Sequence, residues 1–225
     1  AKTFERLCMG QLHETLPRPA GTDPVDHYIQ VLADKTGSLI AVSARYGAML
    51  TRAGAATERV VEEFGEKIGV AFQLADDVID LAGDSETTGK TPGTDLREGV
   101  DTMPVLLLRK ALAAGELDAA GQAILSRLST GNLADDAVLA DVVARLRLHP
   151  VLARTREMAM TWAREAVGAL AGLEDAVLAG TRERLDAAGS GGTEREAALA
   201  DAARRVALVR EGMEQFARLL VDRAA

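Results

Sequence analysis

Three aspartates in the stretch from Gly69 to Leu81 are the residues of this chain best suited to chemistry. Asp76 and Asp80 are four residues apart, so in a helix both lie on one face, and Gln73 extends that polar row by one turn. Aspartate is a poor helix former and like charges at this spacing repel, but a helix tolerates the row where it faces a cation. Together with Asp77, the row offers only oxygen ligands, which select a hard ion such as Mg²⁺. The alternative is a solvated acidic face.

Apolar residues at three- and four-residue steps predict that these aspartates belong to a helix interior. Val70, Leu74, Val78 and Leu81 follow that spacing, and the stretch contains no proline. We expect the helix to begin near Thr57, as its cap, and to end near residue 83. The sequence therefore predicts one long helix that carries both a buried stripe and the acidic row.

Two other segments carry cations and hydroxyls that suit a diphosphate. Lys35 and Thr36 interrupt an otherwise apolar helical stretch, and the long loop over residues 83–100 carries Lys90, Thr94 and Asp95. Each feature alone has an ordinary explanation: a lysine reaching to water, a packed threonine, or a linker. Together the segments supply the carboxylates, ammonium groups and hydroxyls that hold a metal-bound diphosphate.

Proline, glycine and capping residues divide the remaining chain into further helices. A first helix ends near Thr15, before Pro17, and a second, continuous helix begins at Pro24, after Thr22 or Asp23 as its cap, and ends at Gly54. A later helix is predicted from Asp101 or Thr102 through the apolar residues up to Leu108, and further helices over residues 117–129, 134–148, 150–172, 174–188 and 193–222. No segment has the alternation and flanking turns of a strand. The sequence predicts one all-α domain over residues 1–225.

Composition and charge exclude several classes of function. The 225 residues are 48% hydrophobic and only 3% aromatic, and the net charge of −8 opposes general binding to nucleic acid or anionic membranes. No apolar run reaches the roughly 18 residues of a membrane span. The single cysteine, Cys8, excludes an internal disulfide and is typical of a cytoplasmic protein.

Four stretches in order resemble the polyprenyl synthetase family, the trans-isoprenyl diphosphate synthases. They cover roughly residues 8–110 and are Met-Gly-Gln at 9–11, Asp-Lys-Thr-Gly-Ser-Leu-Ile at 34–40, Phe-Gln-Leu-Ala-Asp-Asp-Val-Ile-Asp at 72–80, and Gly-Lys-Thr-Pro-Gly-Thr-Asp-Leu-Arg-Glu-Gly at 89–99, leading into Thr-Met-Pro at 102–104. The resemblance implies an isoprenoid-synthase-type helical bundle with a central cavity and Mg²⁺-dependent head-to-tail condensation of isopentenyl diphosphate with an allylic diphosphate. It also implies a homodimer.

The resemblance implies metal ligands on the acidic helix and on the loop. Asp76, Asp77 and Asp80 match the family's second aspartate-rich motif, with Asp76 as the direct ligand and the others acting through water or neighbouring groups. Asp95 matches the aspartate that closes the Gly-Lys loop over the metals.

Substrate contacts follow from the same resemblance. Lys35, Thr36 and Lys90 match residues that contact the diphosphate or flank the reacting carbon, and Gln73 matches a glutamine beside the allylic substrate. Gln11 matches the Gly-Gln pair on the cavity wall. Where the family usually has aspartate three residues after that glutamine, this chain has glutamate, at position 14.

One departure from the family limits what these residues are expected to do. The family's first aspartate-rich motif has no counterpart here, and the chain opens with Ala1 inside a helix. We therefore expect these residues to be the later part of a longer protein. We also expect them to convert little or no substrate on their own. Three alternatives remain: a class I terpene cyclase, a non-catalytic subunit of a heteromeric prenyl synthase, or a helical interaction domain. The low aromatic content argues against a terpene cyclase, and the acidic row argues against a non-catalytic subunit. The set of matching segments argues against a plain interaction domain.

Overall fold

The computed structural model describes residues 1–83 and 91–223, and its described segments are helices and connecting loops without any strand. The helices are α1 (Lys2–Thr15), α2 (Pro24–Leu32), a π-helical turn (Ala33–Gly37), α3 (Ser38–Leu50), α4 (Ala55–Ala82), α5 (Thr94–Arg97), α6 (Met103–Ala114), α7 (Ala119–Thr130), α8 (Asp136–Leu148), α9 (Pro150–Ala169), a 3₁₀ turn (Leu170–Gly172), α10 (Leu173–Ala187) and α11 (Gly192–Asp222). The all-α prediction is confirmed.

Helix α4 lies at the centre of the bundle, and most other elements pack against it. Its most extensive neighbours are α3 and α9, and it also contacts the π-helical turn, α10, α11, α2, α6 and α8. Ile68, Leu74 and Val78 of α4 are fully buried, as the apolar spacing predicts. The acidic row therefore stands on the helix that contacts the most other elements among the described residues.

The local signals that start helices are mostly the predicted ones. Asp23 accepts hydrogen bonds from the backbone N–H groups of Val25 and Asp26 and so caps α2. Asp135 caps α8 in the same way. The prediction of Thr57 as a cap was wrong: α4 begins at Ala55, and the Thr57 hydroxyl donates instead to the carbonyl of Ala53.

The second predicted helix is not regular throughout. Its path is continuous, but Ala33–Gly37 forms a π-helical turn between α2 and α3. At this turn the backbone of Gly37 meets α4 so closely that a Cβ on Gly69 would lie 2.6 Å from the Gly37 Cα. Wider turns of this kind are often found at functional sites, and this one carries Lys35 and Thr36.

Candidate functional site: the carboxyl end of α4

Three carboxylates from α4 and α5 line one cavity of about 280 Å³. Asp76 and Asp80 contribute from α4, and Asp95 contributes from α5. The other lining residues are Ile79, Thr91, Pro92 and Thr94. The structure thus brings together three of the four predicted metal ligands, together with threonine residues.

Asp80 holds the loop against α4. Its carboxylate accepts hydrogen bonds from the backbone N–H groups of Thr94 and Asp95, so it caps the short helix α5 from outside. Its backbone carbonyl accepts a hydrogen bond from the N–H of Gly93 at 2.9 Å. Burial and the nearby negative charges of Asp95 and Asp76 raise the pKa of Asp80 to about 6, against the opposing effect of the two N–H groups.

Asp77 faces the interior, away from the cavity. The residue is only 5% exposed. Both of its carboxylate oxygens lie 3.1 Å from the Tyr28 hydroxyl, which donates to them. One oxygen also accepts the Met103 backbone N–H at 3.0 Å, which caps the start of α6. Burial raises the pKa of Asp77 to about 8. The structure does not bring Asp77 together with the three carboxylates of the cavity.

Asp76 is the exposed member of the row. In the part of the chain that the structure describes, no hydrogen bond or ion pair holds its carboxylate, whereas Asp77 and Asp80 each accept backbone N–H groups. A carboxylate without protein donors keeps its lone pairs for an incoming cation.

Lys35 and Gln11 meet at one glutamate. The Lys35 Nζ lies 2.6 Å from Oε2 of Glu14, and the Gln11 amide donates to the same oxygen at 2.9 Å. Lys35 is not among the residues that line the acidic cavity. Thr36 lies where the π-helical turn crosses Gly69, which is seven residues, or about 10 Å along the helix axis, before Asp76.

The pKa of Tyr28 is affected both by Glu14, the partner of Lys35, and by Asp95 of the acidic cavity. Burial and then Asp77 raise the pKa of Tyr28, and the charges of Asp95 and Glu14 raise it further. Because Glu14 holds Lys35 and Asp95 lines the cavity, the two groups lie within electrostatic reach of one hydroxyl.

Two predicted residues add less to this geometry. Gln73 is half-buried on α4, one turn before Asp76. Lys90 lies outside the described residues, so its predicted role stays a prediction. Sequence reasoning assigned no role to Tyr28; the signal that could have revealed it is that a buried aspartate such as Asp77 needs a hydrogen-bond donor.

The carboxylates fit a divalent cation that uses external ligands. Within residues 1–83 and 91–223, no three His, Cys, Asp or Glu side chains are assembled closely enough to hold a metal by themselves. Mg²⁺ usually takes one or two carboxylates and fills its remaining positions with water and phosphate oxygens. The repulsion that Asp95 and Asp76 exert on Asp80 is what such a cation would relieve.

Comparisons with known proteins bear on the same segments. The model of the family described as Polyprenyl synthetase matches residues 1–137, which is 137 of the 225 residues. Nonaprenyl diphosphate synthase of Mycobacterium tuberculosis is 39% identical over 177 residues, 78% of this chain and 50% of that protein. A dimethylallyltranstransferase of the same organism is 34% identical over 166 residues, 74% of this chain and 48% of that protein. The chain thus spans about half the length of these relatives.

Solved structures share the fold. A geranylgeranyl pyrophosphate synthase from Corynebacterium glutamicum, complexed with calcium and isoprenyl diphosphate, matches 100% of this chain and 58% of its own, with a TM-score of 0.70 and 29% identity. A decaprenyl diphosphate synthase from Rhodobacter capsulatus matches 100% of this chain and 58% of its own, with a TM-score of 0.65 and 24% identity. The helical bundle expected from the sequence is confirmed.

Proposed function

Because the chain belongs to the polyprenyl synthetase family, we propose that it serves Mg²⁺-dependent head-to-tail prenyl transfer, the condensation of isopentenyl diphosphate with an allylic diphosphate. The observation that carries this proposal is the cavity in which Asp76, Asp80 and Asp95 converge from two elements. In the reaction, the allylic carbon–oxygen bond breaks and pyrophosphate leaves with the electron pair. The double bond of isopentenyl diphosphate attacks the allylic carbon, and a proton is lost to the pyrophosphate.

The described residues have separate parts in this reaction. Asp76, Asp80 and Asp95 would hold Mg²⁺, which when bound neutralises the negative charge that develops on the departing pyrophosphate. Lys35 supplies an ammonium group, and Glu14 orients it from α1. Thr36 stands on the π-helical turn that crosses α4 at Gly69, and Gln73 stands on α4 one turn before Asp76; both would contact the substrate. Asp77 anchors α4 to α2 and α6 rather than contacting metal.

The finer assignments are part of the same proposal. Large apolar side chains are exposed on α1 and α3, two helices in contact, and a homodimer interface there would cover them: Phe4, Leu12, Leu39, Tyr46 and Leu50. Sedimentation of the protein at two concentrations tests the dimer.

Among the described helices none is long and apolar enough to cross a membrane. A cytoplasmic location is supported by the single, unpaired Cys8, and fractionation tests it.

Turnover of the full-length protein, with labelled isopentenyl diphosphate, an allylic diphosphate and Mg²⁺, tests the function. Extended products should form, and Asp76→Ala should lower the rate by about a thousandfold, the loss expected when a preorganised charge clamp is removed. Asp175→Ala, at an exposed aspartate in the first turn of α10, is the matched control and should leave the rate unchanged. Full activity of Asp76→Ala would remove the acidic cavity from the mechanism.

The same assay separates the alternatives. A cyclase would release pyrophosphate from the allylic substrate without consuming isopentenyl diphosphate. A non-catalytic subunit would show no turnover until its partner subunit is added. Either result would replace the proposed activity while leaving the fold assignment intact.

A further inference from the structure

Arg6 of α1 joins the elements that meet beside Lys35. Its Nε lies 2.8 Å from Oδ1 of Asp34, and its two terminal nitrogens donate to the Glu66 carboxylate at 2.9 and 3.0 Å. Asp34 belongs to the π-helical turn and directly precedes Lys35, whereas Glu66 belongs to α4. One guanidinium therefore links α1, the turn and α4 through three charge-assisted bonds.

Asp34 depends on this guanidinium as its cationic partner. The residue is only 8% exposed, and its second oxygen accepts a hydrogen bond from the Gln30 amide at 3.0 Å. Its backbone carbonyl accepts the Ser38 hydroxyl at 2.7 Å, which adds a contact within the widened turn. Because Asp34 is buried, leaving its carboxylate without the cation is unfavourable, so the turn would rearrange before leaving Asp34 unpaired.

The turn also has little space in which to move. A Cβ on Gly10 would lie 2.9 Å from the Asp34 Cβ and 3.0 Å from the Lys35 Cγ. On the other side, a Cβ on Gly37 would lie 2.9 Å from the Glu66 carbonyl oxygen. The stem of Lys35 is thus held between α1 and α4, the two helices that Arg6 ties together.

We infer that Arg6 is a positioning residue for diphosphate binding: by holding Asp34 and Glu66 it fixes the direction in which the Lys35 ammonium leaves the π-helical turn. This inference rests on the proposed function, because it takes Lys35 as a group that grips a diphosphate. A displacement of about 1 Å in such a group is enough to weaken binding and catalysis strongly.

Arg45 offers a matched control for Arg6. It too joins a neighbouring helix to two acidic groups, since its Nε lies 3.2 Å from Glu58 and its Nη1 lies 3.4 Å from Glu62, both on α4. It stands on α3 and pairs with neither Asp34 nor Glu66. Loss of Arg45 therefore removes a comparable surface bridge without releasing the Lys35 turn.

Calorimetric titration of the 225-residue chain with inorganic pyrophosphate in Mg²⁺, and with Mg²⁺ alone, tests the inference. Arg6→Met should weaken pyrophosphate binding by about 10-fold, the usual effect of losing a group that orients a ligand. Arg45→Met should change it less than about 2-fold, as expected of an exposed ion pair. Arg6→Lys should fall between, because it keeps the charge but loses the forked geometry. Mg²⁺ affinity should be unchanged in each variant, since α4 and α5 carry those carboxylates.

Three outcomes would decide against Arg6. The inference is overturned if folded Arg6→Met binds pyrophosphate as tightly as the wild type does. It is also overturned if the Arg6 and Arg45 variants lose equal pyrophosphate affinity, or if Mg²⁺ affinity falls in parallel with pyrophosphate affinity. Thermal unfolding establishes that each variant is folded; if Arg6→Met does not fold, Arg6→Lys and Arg45→Lys carry the comparison. Failure of the wild type to bind pyrophosphate would overturn the proposed function as well.

Discussion

Asp76 and Asp77 are neighbours in sequence but occupy opposite environments on α4. Asp76 is exposed and lines the cavity, and no described side chain or backbone group pairs with it. Asp77 is buried and receives the Tyr28 hydroxyl and the Met103 N–H. Two identical side chains thus have different environments, one open to the cavity and the next anchoring the fold, because a helix rotates adjacent residues by about 100°.

Asp80 combines the two roles. It lines the same cavity as Asp76, but it also receives two N–H groups from α5, much as Asp77 receives one from α6. The carboxyl end of α4 therefore starts the next two described helices with its own side chains. Carboxylates that line a cavity and carboxylates that accept N–H groups at helix starts can therefore stand in one motif.

The largest expected effect on stability comes from removing the buried carboxylate of Asp77. Asp77→Ala should lower the free energy of unfolding by about 3 kcal/mol, because it leaves a void and strands the Met103 N–H and the Tyr28 hydroxyl without an acceptor. Urea unfolding monitored by circular dichroism measures it. Asp77→Asn keeps an acceptor oxygen and should cost less than about 1 kcal/mol. A stable Asp77→Ala protein would contradict the anchoring role.

Added Mg²⁺ should stabilise the Asp77 variant but not the Asp76 variant. A cation that binds only the folded protein stabilises it by about 2.7 kcal/mol at about a hundred times its dissociation constant. Thermal unfolding with and without Mg²⁺ should show this shift in the wild type and in Asp77→Asn. The shift should be absent in Asp76→Asn, and its persistence there would mean that the metal is held elsewhere.

Removing the partner of Asp77 should have an intermediate effect. Tyr28→Phe deletes one donor to a buried carboxylate, so the free energy of unfolding should fall by about 1.5 kcal/mol with Mg²⁺ affinity unchanged. Tyr46, the chain's other tyrosine, is exposed on α3, and Tyr46→Phe should change stability by less than about 0.5 kcal/mol. Equal effects of the two substitutions would count against the buried pair.

The smallest expected effect has the opposite sign. Without metal, Asp76→Asn removes one of two like charges four residues apart and should stabilise the protein by about 0.3 kcal/mol. Replicate urea unfolding curves in a chelating buffer measure this difference. A clear loss of stability would show that Asp76, like Asp77, holds the fold together.

The helices could be predicted because their signals are local. Apolar spacing marked α4, and Pro24 after Asp23 marked the start of α2, so both elements follow from neighbouring residues. The prediction of Thr57 as a cap was wrong because its hydroxyl donates to the backbone carbonyl of Ala53 instead of accepting an N–H group. The single-domain assignment and the role of Lys90 stay predictions.

The sequence by itself determined the helical class, the acidic row and its spacing, since these depend on residues a few positions apart. Only the tertiary structure decided which aspartate is open and which is buried, because Tyr28 and Met103 reach Asp77 from 49 and 26 residues away. The same holds for Arg6, which meets Asp34 and Glu66 across 28 and 60 residues. Pairings at such separations are set by how the helices pack, which no local pattern encodes.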